Sequence, residues 1–463
     1  MKKTMMMLVL AAACQTLSAE GLKTAGDGTT YTLDMLSTMA GSGVEKWVDD
    51  EDGEVFYTLL ANDTIAVGDK FVMEDDVTVL FDDDVLFVIE GDADFKLEKG
   101  SIFDSAYDDA DYVKPVGIKV TSEETQVEFQ HCIFYYVGLR GASSKGLKLT
   151  DCSFYNNNGA IGQGALTLGY DLAPFEVRGC NFDFNSKAAI AGAANYRNPL
   201  LIEDCYFNAN GQANGNTPQL NLTVASQVTV RGCNIAGDPT KDRVGAIVVA
   251  NMVGFTGELN TLIEDCTISN CRFGIATYLW QNAIIRNNVL LDNCHESNPM
   301  NGGSGINVYD PYYQQITRIE GNRIEGSLWG ITLVGGASAN LGRTDVDEND
   351  PDYNPGNNTF VNNGNGGVLY DLYNNSTNTV YAQGNTWNVS EQTEEEIEKV
   401  VFHQHDNASL GQVIFMPAAT TTGVSAALMN KETVENGAYD LQGRKVRGGK
   451  KALRIVEGRK VIN

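Results

Sequence analysis

From about residue 97 to residue 387 the chain repeats one short pattern of apolar and polar positions. Leu149-Thr-Asp-Cys152-Ser-Phe154 aligns with Val177-Arg-Gly-Cys180-Asn-Phe182 and with Ile202-Glu-Asp-Cys205-Tyr-Phe207. Val230-Arg-Gly-Cys233-Asn-Ile235 and Ile263-Glu-Asp-Cys266-Thr-Ile268 follow. The series continues at Ile285 to Leu290 around Asn288, Ile319 to Ile324 around Asn322, Asn357 to Phe360, and Gly384 to Trp387. Phe129 to Phe134 and Leu97 to Ile102 fit more loosely upstream, the latter with Gly100 in the Cys/Asn position. Together these make eleven units spaced 20 to 36 residues apart.

Each column has a physical reading. The apolar residues three before and two after the Cys/Asn position should point inward and stack. The residue just before it is mostly Gly, Asp or Asn, types that tolerate a left-handed backbone, so a fixed bend belongs there. Stacked Asn amides can hydrogen-bond from one repeat to the next. A second motif follows each bend: Gly274 to Tyr278, Gly305 to Tyr309, Gly330 to Val334 and Gly367 to Asp371. Alternation after a Gly reads as a short strand. Several short strands per irregular turn, one column per face, predict an all-β parallel solenoid of about eleven coils. At ~4.8 Å per coil the rod is on the order of 50 Å long.

These units, above all Asn357 to Asn363 and Asn385 to Trp387, resemble those of right-handed parallel β-helix proteins of the pectate-lyase-like superfamily, over residues 80–417. Gln392 to Val401 reads as a helix, and Leu410 to Pro417 as the segment that closes the last coil; the resemblance implies a C-terminal cap there. Residues 20–79 are expected to supply an N-terminal cap and residues 418–430 a linker.

Charge divides the chain further. The formal net charge is −27, which excludes nucleic acid and anionic membranes as partners held by bulk electrostatics. Lys2 and Lys3 precede the apolar run Met5 to Ala13, which reads as a secretory signal over residues 1–19, cut near Ala19. Ala12-Ala13-Cys14 resembles a lipobox, with Ala11 where Leu is usual. No later segment has the 18 uninterrupted apolar residues of a transmembrane helix. Residues 431–463 are basic, with nine Lys/Arg against four Asp/Glu. Ala438 to Val446 and Ala452 to Ile462 are β-type runs flanking Gly448-Gly449, which predicts a small β-type tail domain. They resemble the C-terminal sorting domain of type IX secretion, with Arg454 where an aromatic is usual. That resemblance implies the type IX machinery as a partner and a secreted or outer-surface location.

Candidate chemistry is sparse. Arg178, Glu203, Arg231, Glu264, Arg286 and Glu320 alternate in sign two residues before the Cys/Asn position, which predicts a register-locking salt-bridge column. Six cysteines, Cys132, Cys152, Cys180, Cys205, Cys233 and Cys266, stack as inward thiols or as neighbouring pairs within disulfide reach. Cys271 and Cys294 are expected to bridge successive coils. No histidine has the neighbours of a catalytic triad.

β-Helix enzymes of the resembled superfamily cleave polysaccharides with Arg/Lys bases beside Ca²⁺ or with paired carboxylates. The second-strand face here shows no Lys/Arg cluster in the units aligned above. Asp310 and Asp371 are its only candidate acid pair. Its exit is dense in aromatics suited to stack on sugar rings: Tyr278, Trp280, Tyr309, Tyr312, Tyr313, Trp329, Tyr370 and Tyr373. Asp345, Asp347, Asn349 and Asp352 resemble the start of a Ca²⁺ loop, although the EF-hand pattern breaks for want of a glycine at its sixth place. The leading expectation is a secreted or surface protein that binds an extracellular glycan or other macromolecule without cleaving it. A polysaccharide lyase or glycoside hydrolase, and a structural spacer or adhesin, are the alternatives.

Overall fold

The computed structural model describes residues 20–419 apart from 51–52, 107–115, 124, 142–144, 159–160, 170–173, 193–198, 224–226, 252–258, 279–281, 297–300 and 312–315, together with 453–456 and 459–462. Its strands form long parallel sheets stacked as in a β-solenoid. The first sheet holds fourteen strands, from Glu20–Lys23 and Asn62–Ile65 to Leu372–Ser376 and Val401–Phe402. Each coil also contributes strands to a second and a third stack, which meet at a corner. In Val127–Tyr135 the first half pairs in parallel with Leu147–Thr150 and the second half with Ser153–Tyr155. The corner between them is His131, at φ 56°.

The eleven sequence units are the interior of this longer stack. Residues 20–79 add parallel strands of their own: Asn62–Ile65 pairs with Leu86–Ile89, and Val55–Leu59 with Thr78–Phe81. They also carry a short helix, Leu33–Leu36, capped by Thr32, and an antiparallel pair, Val44–Val48 with Val55–Leu59. At the far end the helix is a single turn, Glu394–Ile397, shorter than the 392–401 expected. Val401 and Phe402 are instead taken up by the first sheet, paired with Leu372 and Tyr373. The helix starts on Thr393, whose hydroxyl accepts from the Glu396 amide, and three glutamates sit at its positive end. Leu453–Val456 and Arg459–Ile462 pair antiparallel, so the last β-type run folds on itself. The signal segment 1–19 and the run Ala438 to Val446 lie outside the described residues.

The inward columns stack as the pattern demands. Phe103, Phe134, Phe154, Phe182 and Phe207 form a continuous pile with ring centroids 4.5 to 5.1 Å apart. The six ladder cysteines are buried free thiols, and burial pushes the Cys132 and Cys180 thiols up from their ordinary range. From Cys266 onward amides take over. The Asn288 oxygen accepts from the Cys266 amide at 3.0 Å. Asn288 donates to Asn322 at 3.0 Å, Asn322 to Asn358 at 3.0 Å and Asn358 to Asn385 at 2.9 Å. Each amide therefore satisfies the polar groups of the coil beside it in an interior that water does not reach.

The most upstream unit differs from its sequence alignment. Ser101, not Gly100, stands level with Cys132, and Gly100 (φ 94°) is the bend. Extra residues between Phe95 and Ser101 form a bulge whose amides at Glu98, Lys99 and Gly100 donate to the Asp75 carboxylate.

The bends explain an alternation that the repeats display. Positive φ falls at Asp151, Gly179, Asp204, Gly232, Asp265, Asn287 and Gly321 in turn. A Cβ added at Gly179 or Gly232 would lie 2.3 Å from the carboxylate oxygen of Asp151 or Asp204, and at Gly321 2.5 Å from the Asn287 oxygen. At these three places a polar bend residue folds over the next bend, and only glycine leaves room for it; Asp265 is followed instead by Asn287.

A second bend carries a second ladder that the repeats do not announce. Asn185 donates to Asn210 at 2.6 Å and accepts from the Asn157 amide at 2.9 Å. The next coil has Gly237 at this place, where a Cβ would meet Asn270 O at 2.0 Å. Gln219 reaches in from the first sheet instead, accepting from Asn210 at 2.8 Å and donating to Ala236 O at 3.0 Å.

Two outcomes follow. Asn322→Ala should lower unfolding free energy by about 2–4 kcal/mol in urea titrations, because it orphans amides on both neighbouring coils. Gly232→Ala should cost about 1–3 kcal/mol, and Asp204→Ala in the same chain should recover part of that loss in a double-mutant cycle.

Candidate functional site

The outer face of the first sheet is set by strand alternation. Ile275, Ile306, Ile331 and Leu372 lie in one inward column. Ala276, Asn307, Thr332, Tyr373 and Phe402 form the adjacent outward column, and Tyr278, Tyr309, Val334 and Asn375 form a second. At Gly305 and Gly330 a Cβ would meet the next coil's backbone and a core side chain, Ile324 or Phe360, so glycine lets these strand entries close on the interior.

The structure brings five of the eight expected aromatics into two groups on this face. At the strand exit Tyr278 and Tyr309 stack with centroids 4.5 Å apart, and Tyr278 is 38% exposed. Toward the strand entry Trp329 and Tyr370 lie 6.0 and 5.7 Å from Tyr373. Tyr373 stacks on Phe402 at 4.5 Å with the rings 5° from parallel. Phe402, in the last rung, completes this group and was missed because it directly follows the run expected as helix, Gln392 to Val401. The Trp329 indole nitrogen is buried without a hydrogen-bond partner. Burial holds the Tyr278 and Tyr373 phenols above their ordinary pKa, so both remain neutral donors. Trp280, Tyr312 and Tyr313 lie outside the described residues.

The two carboxylates are not brought together. Gly366 and Gly367, both at positive φ, form the turn of a small hairpin, Gly364–Asn365 with Val368–Leu369. The fourth strand therefore begins at Leu372, four residues later than the Gly motif suggests, and Asp371 sits inside the corner rather than on the face. It is fully buried, accepting from the Asn388 amide at 2.7 Å and from Asn363 at 3.4 Å, where it terminates the second ladder. Asp310, also buried, stands level with Gly335 at the opposite end of the rung. Asp371 precedes Leu372, the partner of Ile331. About five residues of strand, roughly 16 Å, thus separate their levels, well beyond the ~5–10 Å at which paired carboxylates work on one glycosidic bond.

The acidic loop is committed internally. Arg343 takes Asp352 at 2.6 Å and Asp345 at 3.6 Å, and it lies over the Tyr381 ring at 4.4 Å. Asp347 accepts from the amide and side chain of Asn349. Among the described residues, three metal-ligating side chains converge within 4.8 Å only at Glu398, His405 and Asp406. Beside them the buried His403 accepts the Val413 amide at Nδ1, so its Nε2–H donates to Glu398 at 2.8 Å.

Cys271 and Cys294 do not bridge: both are free thiols, and the residue stacked beside Cys271 is Asn293, which accepts the Cys271 amide at 3.1 Å. The charged column forms as expected through Arg178–Glu203, Glu203–Arg231 at 2.5 Å and Glu264–Arg286 at 2.7 Å. Glu320 turns instead to Arg318 on its own strand.

A family described as a protein of unknown function (DUF1565) has a model that matches residues 201–393. The match spans the rungs that carry most of the aromatic face. Neither a curated protein nor a solved structure matches the chain.

Burial pushes the Asp371 carboxyl up to about 7, against the two hydrogen bonds that favour its charged form. Asp183, on the third stack, is likewise pushed up to about 7 by burial. Between about pH 4 and pH 7 the folded chain holds these protons while the unfolded chain has released them, so stability falls as pH rises through this window. Asp371→Asn should flatten that decline by up to about 4 kcal/mol, read as urea midpoints at stepped pH.

Proposed function

We propose that the protein is an exported right-handed parallel β-helix that binds an extracellular glycan along the outer face of its first sheet. The observation that carries this reading is the ring cluster of Trp329, Tyr370, Tyr373 and Phe402 on the outer face of the first sheet. Rings held edge to face and in parallel on a rigid sheet offer apolar surfaces to sugar faces, and the phenols supply donors to hydroxyls. Export rests on the cationic apolar start and on the tail's resemblance to a type IX sorting domain.

Binding rather than cleavage fits the positions of the acids. Asp310 and Asp371 lie at opposite ends of the rung, and Asp371 is inside the corner. A pectate-lyase-like scaffold thus serves here as a platform.

Affinity electrophoresis of the purified protein through a panel of polysaccharides tests the reading, with reducing ends and unsaturated uronates assayed in parallel. One or more polysaccharides should retard the protein without product. Tyr373→Ala should weaken retardation at least ~10-fold, the effect of losing one well-packed ring, with the unfolding midpoint nearly unchanged. Product release from any polymer, or retardation indifferent to Tyr373→Ala, would overturn it.

A further inference from the structure

The outward column that ends in Tyr373 and Phe402 carries, toward the other end of the first sheet, two adjacent cations. Lys119 and Arg140 stand directly opposite one another in register. Both are half-buried, and neither has an ion-pair partner among the described residues. Their neighbours in the same column are Val88 and Thr167, which carry no charge. The nearest acid on the adjoining strand end, Glu90, is taken by Lys23 at 2.7 Å.

This arrangement breaks the rule followed elsewhere on the coil. Lys70 opposes Asp92, Lys148 opposes Glu128, Arg231 opposes Glu203 and Arg286 opposes Glu264, each within ion-pair distance. The adjacent acids Asp94 and Glu128 share Lys96, which lies 3.2 Å from Glu128. Lys119 and Arg140 are the one cation pair in the described strand registers. Like charges directly opposite repel.

We infer that Lys119 and Arg140 form a subsite for an oxyanion, the carboxylate or sulfate of an acidic glycan. This rests on the reading of the first sheet as a glycan-binding face. The Arg140 guanidinium offers paired donors that match a carboxylate, and Lys119 adds a second charge one rung away. Eight rungs, about 38 Å, lie between Arg140 and Tyr373. A single sugar acid therefore reports on the cation pair alone, and only a polymer reaches both ends.

The test is thermal unfolding of the purified protein at low salt with glucuronate, inorganic sulfate or glucose. Wild type should gain several degrees with at least one anion and nothing with glucose; a response to only one of the two anions identifies the substituent. Lys119→Gln/Arg140→Gln should be at least as stable as wild type without anion, since repulsion is relieved, and should lose the response at least tenfold in apparent Kd. Lys119→Arg, which keeps the charge, should retain it. A wild type indifferent to both anions, or a double variant that responds as wild type does, overturns the proposal. Tyr373→Ala should keep the anion response whatever it does to polymer binding, so failure of the aromatic reading and failure of the cation subsite are seen separately.

Discussion

Every side chain in this fold has its own equivalent about 4.8 Å above and below it. That constraint decides which residues the coil can use at each place. Phenyl rings, aliphatic chains, thiols and amides all tolerate a copy of themselves at that spacing, and they fill the interior columns. Charges and folded-over polar side chains tolerate it less well, and most alternate: Arg with Glu on the outer strip, Asp or Asn with Gly at the bend, with Asp265 beside Asn287 and Lys119 beside Arg140 as exceptions. The alternation at the bend is steric, because an oxygen from one coil occupies the space where the next coil's Cβ would be.

The same constraint gives the outer face its meaning. A face made of repeated short strands is flat and extended, so it suits a ligand that is itself extended and repetitive. Short side chains such as Ala191 and Ala276 lie in the middle of the column, between the rings at one end and the cations toward the other. Rigidity comes from the ladders beneath. Tyr373 and Phe402 need no loop to hold them, since each ring packs on its in-register neighbour.

Much of the fold was legible because the repeat writes its physics into fixed columns. The Cys/Asn ladder, the inward apolar residues, the left-handed bends and the salt-bridge strip all reveal themselves by recurrence. What recurs irregularly was harder to read. The second amide ladder changes residue type from coil to coil and borrows Gln219 from a different strand, so no single column displays it. The site was legible only in part: the aromatics were visible as composition, but Gly366-Gly367 mimicked a strand entry and displaced Asp371 onto the wrong surface. Phe402 was hidden just beyond a helix-like run whose last residue, Val401, the sheet captured. Lys119 and Arg140 sit in Gly117–Val120 and Gly138–Gly141, strands with the same Gly entry that were not among those aligned, and their pairing emerges from register.

The change from thiols to amides at Cys266 and Asn288 divides the rod into two materials. On one side neighbouring coils are joined through their ladder by weak sulfur contacts and packed rings. On the other they are joined by side-chain amide hydrogen bonds that run unbroken from Asn288 to Asn385. In a stack whose cohesion is a sum over neighbours, these halves differ in stiffness. Tension applied along the axis would therefore load unlike ladders: thiols backed by the Asn185, Asn210 and Gln219 amides on one side, and the run from Asn288 to Asn385 on the other.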